Sequence, residues 1–72
     1  MATRLGNFMT ANRITSLRLS ARADVSTATV ASLRSGRNDP RLRTMIRVAR
    51  AISRILRRRV PVRELFDLGD DE

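Results

Sequence analysis

"DVSTATVASLRSG", residues 24–36, is the least basic and smallest-side-chained stretch of a strongly basic chain. Its polar positions are Thr and Ser with Ala between them, while Val25, Val30 and Leu33 keep a helix-like apolar spacing. Ser26 is an N-cap candidate and Gly36 stands where a helix C-cap belongs. Asp24 competes with a preceding helix by local hydrogen bonding and is among the few non-glycine residues that tolerate a left-handed backbone. The stretch therefore reads as a turn of about three residues followed by a short helix that presents something flat.

Working towards the N-terminus, "TSLRLSARA" gives a short helix over about residues 15 or 16 to 23, capped by Thr15, with Leu19 and Ala23 one turn apart. Before it, "TRLGNFMTANR" places Leu5, Phe8 and Met9 at helical spacing behind Thr3 as a cap. Towards the C-terminus, "RNDP" is a loop, with Pro40 suited to the first turn of the next helix and Asp39 to its cap. That helix carries the stripe Leu42, Met45, Ile46, Ala49 and Ile52. It runs on through Ile55 and Leu56 until "RRRVP" ends it, because the residue before a proline avoids the helical region. Pro61 then opens one further helical turn with Val62, Leu65 and Phe66. Val25, Val30, Leu33, Leu42, Ile46 and Leu19 are assigned to the core.

The 72 residues make one domain, of a size that buries roughly 60% of the surface of its unfolded chain. Residues 1–66 form it, and residues 67–72 read as an acidic, disordered tail. With only Phe8 and Phe66 as aromatics, the core is built from aliphatic side chains, which favours helices. The chain has no Cys and no His, so zinc fingers, disulfide frameworks, thiol nucleophiles and a neutral-pH proton shuttle are all excluded. No enzyme, metal or cofactor is expected. No apolar run is long enough to span a membrane, and a cytoplasmic, nucleoid-associated protein is expected.

All fifteen basic residues are Arg. Residues 1–63 carry +13, fifteen Arg against Asp24 and Asp39, whereas residues 64–72 carry −5. Guanidinium forks suit bidentate contact with phosphate, so a polyanion is the first partner to consider.

The central residues also follow a known pattern. Ile14, Thr15, Ser16, Leu17, Arg18, Leu19, Ser20, Ala21, Arg22, Ala23, Asp24, Val25 and Ser26, then Thr29, Val30, Ala31, Leu33 and Gly36, resemble the helix-turn-helix of the Cro and lambda-repressor (XRE-type) family. Downstream, "DPRLRTMIRVARAI" keeps Pro40, Leu42, Thr44, Ile46, Val48 and Ala49 in register, and "VPVRELF" is similar to the family's closing segment. The resemblance spans residues 5–66, without a gap through Ile52. It departs at Ser16, where the family has Gln, at Asp24, where it has Gly, and in "SRILRRR", where residues are added.

The resemblance implies an all-α bundle of four to five helices, of the lambda-repressor-like type, whose third helix lies in the major groove of double-stranded DNA. Thr27, Ala28, Thr29 and Ser32 would touch base edges, with Ala31 and Arg34 at the margin. Arg13, Ser16, Arg18, Ser35, Arg37 and Arg41, at the ends of helices, would hold phosphates. Ile52, Ile55, Leu56 and Phe66 are candidates for a homodimer surface, since palindromic operators mirror a two-fold protein. The expectation is a small repressor or controller of the phage, mobile-element, restriction or toxin-antitoxin kind. Two other readings stay open: a protein-interaction module that binds a toxin or RNA polymerase, and non-specific nucleic-acid binding through charge. For the arginines of "RILRRRV" the choice is open between a phosphate clamp, a partner for the acidic tail and a solvated helix end.

Overall fold

Three helix ends obey one rule in the computed structural model, which describes residues 3–36 and 40–66. Arg13, Asp24 and Arg57 each take the left-handed conformation, at φ 56°, 58° and 56°. The next residue then turns its N–H back to the carbonyl five residues earlier: Ile14 to Met9 at 2.9 Å, Val25 to Ser20 at 3.2 Å, Arg58 to Ser53 at 3.2 Å. This satisfies the carbonyls that a helix leaves open at its end and redirects the chain at once.

Between those ends lie α1 (Arg4–Ala11), α2 (Ser16–Ala23), α3 (Thr27–Ser35), α4 (Leu42–Leu56) and α5 (Val62–Leu65). The molecule is all-α, as expected. The starts of the first three helices are hydroxyl-capped as their sequences suggest. Thr3 accepts from Gly6 N–H, Thr15 from Arg18 N–H and Ser26 from Thr29 N–H.

Thr3 also reaches across the fold. Its hydroxyl lies 3.0 Å from the carbonyls of both Leu33 and Arg34, and its N–H donates to Arg34 O at 3.2 Å, so the start of α1 caps the end of α3. Gly36 closes α3 at φ 76°, where a Cβ would stand 3.0 Å from the Thr3 methyl.

Around the core the helices touch in the cyclic order α1, α3, α2, α4, α5 and back to α1. Each helix has two neighbours, and α3 does not touch α4 among the described residues. The ring encloses Leu5, Met9, Leu19, Val30, Val48, Ile52 and Leu65, all nearly free of solvent. Ser53 fastens the added segment after α4. Its hydroxyl is 2.7 Å from Ala49 O and accepts from Val60 N–H at 2.9 Å, which sends Val60 into the core and starts α5.

Several expectations need correction. Pro40 does not open the first turn of α4; Arg41 is the N-cap, in extended backbone, and Pro40 stiffens the approach to it. Asp39 and Arg37 lie outside the described residues, as does the acidic tail, 67–72. α4 runs through Ile55 and Leu56 as expected, but the left-handed Arg57 and not the proline at position 61 stops it. Leu42 is 61% exposed and Ile46 half-buried, because the first turns of α4 overhang the ring. Ile52 is fully buried and Phe66 only 9% exposed, because α5 folds back under α4. Of the four candidate dimer residues only Ile55 and Leu56 keep partial exposure, and both still pack on the core.

A left-handed arginine carries a conformational penalty that glycine lacks. Arg57→Gly is expected to raise stability by about 1 kcal/mol, read as a higher urea midpoint at unchanged m-value.

Candidate nucleic-acid interface

α3 buries one side only. Val30 and Leu33 point into the ring, and at 100° per residue the opposite side collects Thr27, Ala28, Ala31, Ser32 and Ser35. Thr27, Ala28, Ala31 and Ser35 are exposed, Ser32 half-buried. None of these side chains is larger than threonine, so the face is low and another surface can approach the helix backbone closely.

Thr29 stands apart from that group. It is half-buried on the flank, and its hydroxyl is 2.8 Å from Ser26 Oγ, within the cap of its own helix. The structure thus groups Thr27, Ala28 and Ser32 from the anticipated base contacts with Ala31, anticipated at their margin, and brings in Ser35 from the anticipated phosphate contacts. Ser35 spends its hydroxyl hydrogen on Ser32 O at 3.2 Å.

The end of α3 meets the start of α2. Arg34 donates to Ser16 Oγ at 3.0 Å and approaches Thr10 Oγ1 at 3.5 Å, so one half-buried guanidinium bridges three helices. Ser16 is therefore an anchor for Arg34 in the fold, and Arg34 is drawn to the end of the face instead of its middle. Sequence spacing gives no hint that residues 10, 16 and 34 converge; a polar Ser-Arg-Thr set is visible only once α1 and α2 both lie against α3.

Arg13 is exposed at the left-handed joint before α2, and Arg18 is exposed in its first turn, with its N–H already given to Thr15. These two flank the Ser16–Arg34 corner along the chain. Arg41 is exposed at the start of α4, which does not border α3. No group of His, Cys, Asp and Glu among the described residues is placed to hold a metal ion. No described helix is long and apolar enough to cross a membrane.

Not all the arginines face outward to a partner. Arg58 lies 5.7 Å from the centroid of the Phe8 ring and pairs with Glu64 at 3.3 Å. Arg4 donates to Arg63 O at 2.8 Å and so joins α1 to α5. Within "RILRRRV", Arg58 thus serves the fold, through a cation–π contact and an ion pair that is itself exposed and weak.

No protein-family model, curated protein or solved structure matches the chain.

Ser16→Ala removes the nearer acceptor of Arg34. The loss of stability is expected to stay below about 1 kcal/mol, while arginine side-chain NMR relaxation shows the Arg34 guanidinium becoming mobile. Unchanged relaxation would show that Ser16 does not hold it.

Proposed function

We propose that the protein is a sequence-specific, DNA-binding transcriptional regulator, a small repressor or controller that lays α3 in the major groove and contacts phosphates from the start of α2. The observation that carries this reading is the outward face of α3: five residues none larger than threonine, with Arg34 held to Ser16 at its end and the exposed Arg13 and Arg18 on either side of Ser16 in the chain. A helix this low enters a groove about 12 Å wide without steric obstruction. Alanine and threonine methyls suit thymine methyls, and serine or threonine hydroxyls bond several base edges. No Asn, Gln or Arg is centred on the face, so direct discrimination is modest and DNA shape adds to it.

The likeness to Cro and lambda-repressor domains adds to this reading, and with it the expectation of a homodimer on a palindromic site in the cytoplasm. The half-exposed Ile55 and Leu56 are the part of the earlier dimer surface still open to a partner. No catalytic role is proposed.

Selection of bound sites from a random duplex library at about 150 mM salt tests this directly, since non-specific contacts are partly suppressed there. An inverted repeat is expected, and its half-site spacing reports the dimer; binding without any recoverable motif would leave charge alone at work. Ala28→Glu is expected to abolish binding to the selected site with an unchanged circular dichroism spectrum. Binding that survives this substitution would remove α3 from the groove. Arg18→Ala should weaken all sequences alike and flatten the slope of log affinity against log salt by about one unit.

A further inference from the structure

The side of α4 turned away from the core carries Arg43, Arg47, Arg50 and Arg54, at spacings of four, three and four residues. These spacings set the four guanidinium groups in one stripe about 16 Å long, directly opposite Val48 and Ile52. All four are exposed. The one ion pair among the described residues is Arg58–Glu64, on another part of the surface, so the stripe has no carboxylate partner there. Arg22 and Asp24 join Arg47, Arg50 and Arg54 around a depression at the end of α2, and Asp24 is the sole acid on its rim.

Charge alone does not describe this surface. Leu42, 61% exposed, and the half-buried Ile46 form an apolar margin with Arg43, Arg47 and Arg50. From Ile46 a shallow trough continues past Ala49 to Val60, Pro61 and Val62. A row of cations thus runs beside a strip of aliphatic carbon.

The proposed DNA interface does not absorb this surface, because α2 stands between α3 and α4 in the ring. A duplex is a poor occupant for it, since phosphates match the arginines but leave Leu42 and Ile46 in water. A second copy of the chain is also a poor occupant, because a two-fold contact through this face would set four guanidinium groups against four.

We propose that the outer face of α4 is a docking site for an acidic amphipathic helix of another protein. Carboxylates on one stripe of that helix pair with Arg43, Arg47, Arg50 and Arg54. Aliphatic side chains on its adjacent stripe cover Leu42 and Ile46 and enter the trough towards Val62. Charge complementarity sets its direction of approach, and the apolar strip distinguishes it from a nucleic acid.

The test uses the full chain and a fluorescein-labelled, end-capped peptide of about 18 residues, with Glu on one helical stripe and Leu on the next. Fluorescence anisotropy is read with and without a saturating duplex. The peptide is expected to bind equally well in both conditions. Arg47→Glu combined with Arg50→Glu should weaken it at least about tenfold, and Leu42→Ser by about tenfold. These three positions are exposed, and circular dichroism confirms that the variants stay folded. Binding that is unmoved by Leu42→Ser, or equal for a peptide with Ser in place of Leu, would overturn the proposal in favour of bare charge attraction. So would a random-sequence duplex that outcompetes the peptide and loses affinity on the Arg47→Glu, Arg50→Glu surface. Failure here leaves the α3 reading untouched, because Ala28 and its neighbours are tested separately by site selection.

Discussion

The left-handed residue at the end of a helix is the constraint on which this structure rests. At Asp24 it reverses the chain in the space of a few atoms, so that α2 and α3 can pack on each other and α3 can show one side to the outside. The same geometry at Arg13 turns α1 into α2, and at Arg57 it releases α4 towards the Ser53 clasp and α5. In each case a backbone N–H that would otherwise need water is returned to a carbonyl of the helix just ended. A small core of aliphatic side chains, with Phe66 buried in it and Phe8 packed against it, has limited energy to offset the ordering of long loops, and these joints use almost no chain.

Much of this was legible beforehand because helix ends are written in local chemistry. Thr3, Thr15 and Ser26 are the caps that their hydroxyls suggested, and Asp24 and Gly36 take the left-handed backbone that their residue types tolerate. Arg57 was not legible in the same way, since nothing in arginine favours that conformation; tertiary packing of the segment between α4 and α5 imposes it. Leu42 and Ile46 misled for a different reason. An apolar stripe records which side chains share a face, and it does not record how far along the helix the neighbouring elements extend. α4 packs on α2 and α5, and along it Val48 and Ile52 are buried while Leu42 is exposed. Ile52 and Phe66 erred in the opposite sense, because the return of α5 under α4 depends on a hydroxyl seven residues before Val60, a contact no periodicity reports.

The candidate interface was half visible. Small residues between Asp24 and Gly36 marked α3 as the element being displayed, and register alone placed Thr27, Ala28 and Ser32 outward. The grouping of Arg34 with Ser16 and Thr10 depends on three helices meeting, whereas the withdrawal of Thr29 is local, a bond to the cap of its own helix. At Ser16 a short hydroxyl supports a long guanidinium from the next helix. The arginines also divide by use. Arg4 and Arg58 are tied to the fold, while those along α4 face solvent in a row.

The cyclic order of the helices has a bearing on how the molecule comes together. A ring has no hierarchy of subdomains: α1 lies between the latest element, α5, and a mid-chain element, α3. The closing contact, marked by Arg4 against Arg63, joins residues 59 apart and so spans nearly the whole described chain. Contacts within each helix are local, whereas the contact that closes the ring is long-range and carries the larger loop-closure cost. The outward-facing helix in the middle of the chain is thus tied directly to the first helix and, through it, to the last.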